Sequence, residues 1–274
     1  MEQDVRHTYE YAVDLLGDTA PARVIRMVGS RKRVLEIGAG PGSITKHLKQ
    51  TNDCHITALE LDEDAIVKLT PFCDRVYRGN LNDPAWATPL KEERRFEVVV
   101  AADVLEHLYE PLTVLKQMAS FVDEGGCIII SLPHVGHSAI HACLLEESFT
   151  YRDWGLLDRT HIRFFGIKNI QALFEEAGLK ITHAEFVVRT PQQTEFADVW
   201  SKLSPNTRRT LAENPFGLVY QVVVKAVPAN ADGVALSLIN LPVESVAQPA
   251  SLKDLIRPYL SEGVRQKIRT ILGR

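Results

Sequence analysis

The sequence has little cysteine and no closely spaced cysteine pair. Its four cysteines, Cys54, Cys73, Cys127 and Cys143, are far apart among 274 residues. The lack of a Cys-x-x-Cys pair gives no sign of a paired-thiol site. We therefore expect reduced thiols in a cytoplasmic protein.

Long apolar runs and a dominant charge are also missing. No apolar run approaches the ~18 residues that span a bilayer, and the N-terminus lacks the basic-then-apolar pattern of a secretion signal. The formal net charge is -4, which gives no general case for nucleic-acid binding. With 45% hydrophobic and 24% charged residues, the composition is that of an ordinary soluble globular protein.

The most informative stretch is VLEIGAGPG, from Val34 to Gly42. A short β-branched apolar run leads directly into glycines, which predicts a buried strand followed by a turn and a helix. Glycines at 38, 40 and 42 allow positive φ angles and let a ligand approach the backbone without meeting a Cβ atom. A nucleotide-like cofactor is the usual ligand of such a unit, although the third glycine of a dinucleotide motif is replaced by Ser43.

Two acidic residues narrow the choice of cofactor. Glu36 lies near the end of the buried strand, where a carboxylate is costly without a cationic partner or several hydrogen bonds. Glu60 ends the next apolar run, where an acid can accept hydrogen bonds from ribose hydroxyls. This pattern resembles the first motif of the class I S-adenosylmethionine-dependent methyltransferases, and it argues against a nicotinamide-dependent oxidoreductase because Glu36 would repel a pyrophosphate.

The resemblance implies a set of cofactor-binding residues. The strand end and glycine loop supply the first group, and the ends of the following strands supply the second. Asn80 stands where the family usually has an aspartate that accepts from the adenine amino group, and the run DVLEHL from Asp103 to Leu108 is similar to the family's fourth motif. A solvated helix start is an equally good interpretation of Glu106 and His107. The implied cofactor-binding residues are Glu36, Gly38, Gly40, Gly42, Glu60, Leu61, Asn80, Leu81, Ala102 and His107.

Apolar strands alternate with helical segments up to about residue 190, which predicts a doubly wound parallel sheet. The resemblance implies the Rossmann-like, seven-stranded α/β fold of class I methyltransferases, with the last strand antiparallel. A polar helical insertion at 192–214 is longer than a hairpin needs, and it would serve as a substrate lid or an oligomer contact.

Histidines mark the expected acceptor side, since five of the nine lie between His107 and His161. Residues 155–165 resemble a loop of a bacterial subgroup linked with surface-polysaccharide and glycan biosynthesis, with matches at His137, Asp158, His161 and Arg163. His134 replaces the asparagine of that subgroup. We predict His137 as general base, His161 as second choice and Asp158 as the orienting carboxylate.

A metal site is an alternative interpretation of the same histidines. His137 and His141 are four residues apart and would share a helical face, with His161 or Asp158 as a third ligand. No glutamate follows His137 as in the usual zinc-binding helix. Isolated histidine pairs more often hydrogen-bond within the protein, so we predict no metal.

The predicted organisation has four parts. Residues 1–30 form a helical lid of two helical pieces, in which Tyr9 and Tyr11 either line the cleft or, as is more common for aromatic residues, simply pack, and 31–227 form the methyltransferase domain. Residues 228–250 form a linker, and 251–274 form a basic amphipathic helix with six basic and two acidic residues. This helix would contact the protein's own body, a second subunit of a homodimer, another protein, or the inner membrane peripherally.

The sequence as a whole predicts an S-adenosylmethionine-dependent methyltransferase that O-methylates a sugar or glycan-like acceptor in bacterial envelope polysaccharide biosynthesis. A quinone, a lipid or another small molecule is the alternative acceptor. A methyltransferase-like protein that binds cofactor without catalysis is a further alternative.

Overall fold

The computed structural model of the protein describes residues 9–244, and its central feature is a seven-stranded sheet with the order β3-β2-β1-β4-β5-β7-β6. The strands are β1 (Arg33–Ile37), β2 (His55–Glu60), β3 (Arg75–Arg78), β4 (Phe96–Ala102), β5 (Val122–Pro133), β6 (Leu179–Val188) and β7 (Val219–Pro228). β1 to β5 run parallel, and β7 lies antiparallel between β5 and β6. This arrangement confirms the predicted fold class.

Helices follow most of the strands and cover the sheet. They are α1 (Ala20–Val28), α2 (Thr45–Gln50), α3 (Glu63–Leu69), α4 (Pro111–Ala119), α5 (Ser138–Leu145), α6 (Ile167–Glu176), α7 (Ala197–Lys202) and α8 (Pro205–Leu211). Their ends carry local signals. In α1, for example, the Thr19 hydroxyl accepts from the Ala22 amide, and Gly29 ends the helix with a φ of 75°.

The main core lies between α1, α2 and the central strands and is aliphatic, with Val24, Val34, Ile56, Val100 and Ile129 among its buried residues. A second apolar cluster joins α5 to the predicted insertion through Leu157, Phe196 and Trp200. The insertion is helical as predicted and forms α7 and α8. It therefore packs against α5 and the segment that follows it.

Several predicted boundaries differ from the structure. Residues 9–14 have no regular secondary structure, so the expected helical lid is not helical over these residues. Part of the expected linker is packed against the domain, because the Leu236 amide donates to the Ile181 carbonyl at 2.7 Å and Leu238 is fully buried, whereas most other residues from 229 to 244 are exposed. Residues 1–8, the rest of the linker and the predicted basic helix at 251–274 lie outside the described residues.

Among residues 9–244, no helix has both the length and the apolar character that crossing a bilayer requires.

Candidate active site

The glycine loop lies at the carboxyl end of β1, where the strand order reverses between β1 and β4 and open α/β sheets bind their ligands. Gly38 and Gly40 both have positive φ angles, of 65° and 55°. A Cβ atom on Gly38 would lie 2.8 Å from a methyl group of Val104, so only glycine lets the segment after β4 approach. A Cβ atom on Gly40 would meet no atom within 4 Å from residues 9–244 other than its chain neighbours, which leaves its backbone open to a ligand. Gly42, with a φ of 90°, completes the turn.

Glu60 holds this loop in place. One carboxylate oxygen accepts from the Gly40 amide at 2.7 Å, and the other accepts from the Leu61 and Asp62 amides at 2.7 and 3.0 Å. A carboxylate has about four acceptor positions, so it can bind a ribose hydroxyl as well. The Leu61 side chain is half exposed beside it.

Glu36 is buried beneath the loop. The Thr45 hydroxyl at the start of α2 donates to its carboxylate at 2.8 Å. Burial raises the pKa of Glu36 to about 7, the Thr45 hydrogen bond lowers it, and the negative charge of Glu60 raises it further. A positively charged ligand group placed next to Glu36 would therefore favour its ionised form at neutral pH. Thr45 was not expected as a site residue.

Asp103 is a second residue that sequence reasoning missed. It follows β4 in the left-handed region, with a φ of 53°, which is uncommon for a non-glycine residue and is often found at functional sites. Ser131 and Gln221 donate to its two carboxylate oxygens at 2.8 and 2.9 Å. Burial raises the pKa of Asp103, and these two hydrogen bonds oppose the shift. An acid directly after an apolar strand was the available signal.

The N-terminal segment contacts both the glycine loop and the loop of Thr160. The Tyr11 amide donates to the Ser43 hydroxyl at 3.1 Å, and the Tyr9 hydroxyl lies 3.1 Å from the Thr160 hydroxyl. Burial, followed by the charges of Asp103 and Glu36, raises the pKa of Tyr11. The Tyr11 side chain therefore shares the cleft with the two carboxylates.

The remaining predicted cofactor residues lie at the ends of β3 and β4. Asn80 is exposed after β3, and its side-chain carbonyl accepts from the Asn82 amide at 3.0 Å, closing a local turn. This is the atom expected to accept from adenine, and one lone pair remains for that bond. Leu81 follows in the same turn, and Ala102 is the last residue of β4.

Glu106 forms the centre of a polar cluster after β4. Its side chain is fully buried, and neither carboxylate oxygen has a hydrogen-bond partner among the described residues. Burial, followed by the charge of Asp103, raises the pKa of Glu106 well above its usual value. The interpretation of Glu106 as a solvated residue at a helix start is therefore wrong.

His107 and His161 face the Glu106 side chain. The His161 Nε2 atom lies 3.9 Å from a Glu106 oxygen, and the two imidazole rings meet edge to face with centroids 4.8 Å apart. Burial, followed by the charge of His107, lowers the pKa of His161 to about 4, so its ring is neutral at pH 7. The structure thus brings together residues 106, 107 and 161 from two distant parts of the chain.

His137 is placed differently from our prediction. It is fully buried at the N-cap of α5, where its Nδ1 atom accepts from the Ala139 amide at 3.1 Å. Its Nε2 atom lies 2.9 Å from the Arg189 carbonyl, which can only accept, so Nε2 carries the proton. Burial lowers the pKa of His137 to about 4. Because both nitrogens are engaged with the backbone, the assignment of His137 as general base is corrected to a structural role.

Asp158 lies in the loop that carries His161. One Asp158 oxygen accepts from the amide and hydroxyl of Thr160, at 2.8 and 2.7 Å, so the carboxylate shapes this loop. Among the described residues no hydrogen bond joins Asp158 to an imidazole, but its negative charge raises the pKa of His161, against the larger lowering by burial. With both His137 nitrogens engaged, the predicted pair of His137 and His141 does not offer two ligand atoms to a metal.

Comparisons with known proteins agree with this geometry. A family model described as a methyltransferase domain matches residues 6–184. The ubiquinone biosynthesis O-methyltransferase of Aeromonas salmonicida (strain A449) is 22% identical over 167 residues, which are 60% of this chain and 70% of that protein.

Two solved structures share the fold. Magnesium protoporphyrin IX methyltransferase of Synechocystis PCC 6803, with bound S-adenosylhomocysteine, has a TM-score of 0.52 and 12% identity, and the match covers 77% of this chain and 83% of that chain. An S-adenosylmethionine-dependent methyltransferase of Mesorhizobium loti has a TM-score of 0.50 and 15% identity, with coverage of 78% and 99%.

Proposed function

Because this chain belongs to the methyltransferase domain family and is an S-adenosylmethionine-dependent methyltransferase, we propose that it methylates a hydroxyl group of a small-molecule acceptor. The observation that carries the choice of a hydroxyl is the largely buried cluster of Glu106, His107 and His161. The first two residues of this cluster come just after Val104, which packs against Gly38 of the glycine loop. A hydroxyl must lose a proton during the transfer, and carboxylates and imidazoles are the side chains that handle protons near neutral pH.

The residues present fit the cofactor. Gly38 and Gly40 form a cradle, and the backbone of Gly40 is open to a ligand. The carboxylate of Glu36 would hold the cationic amino-acid end, and that of Glu60 would hold the ribose. When bound, S-adenosylmethionine supplies a methyl group on a sulfonium, so that an alcohol becomes a methyl ether with release of S-adenosylhomocysteine and one proton.

The protein's own task is to align the acceptor and to exclude water. Tyr9 and Tyr11 would cover the cleft from one side, since their contacts join the glycine loop to the loop of Thr160. The insertion at 192–214 would act as a substrate lid, and its packing against Leu157 supports this role. Alignment of two reactants by such contacts can lower the activation free energy by about 7 kcal/mol in favourable cases.

The first candidate acceptor is a sugar or glycan-like molecule of the bacterial envelope. Exposed aromatic residues follow the members of the polar cluster closely in the sequence, with Tyr109 two residues beyond His107 and Phe164 three residues beyond His161. Phe164 also contacts the ring of Phe149 edge to face. Flat aromatic faces beside polar groups suit a sugar ring, which has an apolar C–H face and hydroxyls at its edge.

A quinone-type or lipid acceptor is the second candidate. The specific observation that favours it is the similarity to an O-methyltransferase of ubiquinone biosynthesis. The same exposed rings would stack on an aromatic quinol.

The location that we propose is the cytoplasm, and the free thiols at positions 54, 73, 127 and 143 support it. Peripheral contact with the inner membrane, if it occurs, is assigned to residues 251–274.

Acceptor-dependent release of S-adenosylhomocysteine tests this proposal. The purified chain would be given a panel of nucleotide sugars and oligosaccharides, a panel of catechols and demethylated quinols, and a panel of amines. We expect release with a hydroxylated panel, and mass spectrometry should find a gain of one methyl group in the product. Release with amines alone would contradict O-methylation, and release with quinols alone would replace the glycan acceptor by the second candidate.

A further inference from the structure

The carboxylate of Glu106 is held in place without a partner of its own. The Glu106 backbone carbonyl accepts from the Ile162 and Arg163 amides at 2.9 and 3.0 Å, which ties this turn to the loop of His161. Yet both side-chain oxygens are buried without a hydrogen bond among the described residues. Burial of an acid without a hydrogen bond is unfavourable even when the acid is protonated. A fixed, buried carboxylate of this kind suits a cationic ligand.

Two imidazoles lie beside this carboxylate. The Nδ1 atom of His107 lies 3.1 Å from the Thr160 carbonyl, and that of His161 lies 3.3 Å from the Leu156 carbonyl. A carbonyl can only accept, so Nδ1 carries a proton in both rings, and in the neutral ring of His161 the Nε2 atom carries the lone pair. Histidines that bind metals commonly have this arrangement, in which the other ring N–H donates to a backbone carbonyl.

The three side chains are close enough to share an ion. One ligand atom from each of Glu106, His107 and His161 lies within 4.8 Å of the others. Bonds of about 2.0–2.2 Å to zinc place neighbouring ligand atoms about 3.5 Å apart in tetrahedral geometry. Modest side-chain rotations would bring the three atoms to that spacing.

We propose that Glu106, His107 and His161 form a binding site for one divalent transition-metal ion. Two imidazole nitrogens and one carboxylate oxygen suit zinc or manganese better than calcium, which prefers oxygen ligands throughout. Three protein ligands leave a coordination position open, as in catalytic rather than structural sites. This assignment differs from the sequence-based prediction of no metal and from the alternative pair at positions 137 and 141.

The ion would have a definite role in the reaction, and this part rests on the proposed function. An acceptor hydroxyl that enters the open position would lose its proton to solvent more readily, because a bound cation lowers the pKa of a coordinated hydroxyl. The binding of the ion does not depend on the identity of the acceptor. Metal binding and methyl transfer can therefore be tested separately.

The experiment measures metal binding to the full chain without an acceptor. Protein stripped with a chelator and dialysed would be titrated with zinc and, separately, with manganese by calorimetry, and the retained metal would be counted by mass spectrometry. We expect about one ion per chain. Glu106→Gln, which keeps the shape of the side chain, and His161→Asn should each weaken binding by about 10-fold to 100-fold or more.

The control is His141→Asn, which removes a histidine from the alternative pair and should leave metal affinity unchanged. Circular dichroism would verify that each variant is folded. Equal affinity in wild type and Glu106→Gln, or retention of no ion by the wild type, would overturn the proposal. Loss of affinity in the control alone would move the site to the alternative pair and overturn it as well.

Activity separates this inference from the proposed function. Metal binding at these residues without methylation of any hydroxylated acceptor would support the metal site and contradict the proposed hydroxyl methylation. Hydroxyl methylation that survives complete removal of metal, in a chain that binds none, would leave the function standing and contradict the site.

Discussion

Replacement of His137 distinguishes a structural residue from a general base. The imidazole caps α5 through the Ala139 amide and donates to the Arg189 carbonyl, and the residue is fully buried. Loss of a helix cap costs about 1 kcal/mol, and a buried carbonyl left unpaired costs about 1–3 kcal/mol. His137→Ala should therefore lower the free energy of unfolding by about 3 kcal/mol. For a domain of this size, that corresponds to a decrease of about 6–12 °C in Tm.

A second variant separates the two contacts. Asparagine is a favourable N-cap, so His137→Asn should keep the bond to the Ala139 amide and lose only the one to Arg189. We expect roughly half of the destabilisation seen with alanine. Thermal denaturation followed by circular dichroism would give both values, with His55→Asn on the exposed surface as the control.

The kinetic measurement decides between the roles. At a temperature well below the Tm of each variant, kcat should stay within a few-fold of wild type, because both ring nitrogens of His137 bond to backbone groups and its ring packs edge to face on Tyr220. A general base would instead contribute about 100-fold or more. Variants of nearly normal stability with kcat reduced by that factor would refute the reasoning and restore the original prediction.

The pH dependence gives an independent check. The pKa of His137 falls from 6.5 to about 4 in the folded protein. Between these values the unfolded chain binds a proton that the folded chain does not, so folding is destabilised as the pH falls. The difference in unfolding free energy between wild type and His137→Asn should thus be largest above pH 6.5 and shrink toward pH 4. A constant difference would contradict the burial of a neutral ring.

Three further predictions follow from other parts of the structure. With the pKa of Glu36 at about 7, binding of a cationic cofactor should release a proton below that pH. Calorimetry should then find S-adenosylmethionine affinity falling by up to about tenfold per pH unit below 7, and Glu36→Gln should remove this dependence. Glu60→Ala should weaken S-adenosylmethionine binding by about 100-fold, a larger loss of free energy than its effect on the free energy of unfolding. Unchanged cofactor affinity in a folded variant would show that Glu60 does not belong to the site. A chain ending at Glu244 should fold and bind cofactor, whereas one ending at Pro228 should lose about 2 kcal/mol or more by exposing the pocket of Leu238, and equal Tm values would contradict that packing.

The fold could be predicted from the sequence because its signals are local. The run from Val34 to Gly42 specifies a buried strand and a turn within nine residues, and the structure confirms both. Caps such as Thr19 and Asp62 likewise act on amides three residues away. Alternation of such units leaves few topologies for a parallel sheet.

The polar cluster was decided by tertiary structure. Glu106 and His161 are 55 residues apart, and nothing in the spacing of either motif requires their side chains to meet. They converge because the Glu106 carbonyl binds the Ile162 and Arg163 amides, a contact between two irregular segments. Irregular segments have no periodic pattern of apolar residues, so this contact could not be predicted from the sequence.

The role of His137 depended on the same kind of information. Its sequence position, just beyond β5, indicates the correct end of the sheet but not the direction of the ring. The Arg189 carbonyl, 52 residues later, accepts a hydrogen bond from Nε2. Because Nε2 then carries a proton, it cannot accept one from an acceptor molecule. The sequence by itself therefore determined the sheet, the glycine loop and the type of cofactor. The tertiary structure alone decided which buried acids and histidines face each other, since burial and hydrogen-bond partners arise from residues distant in the chain.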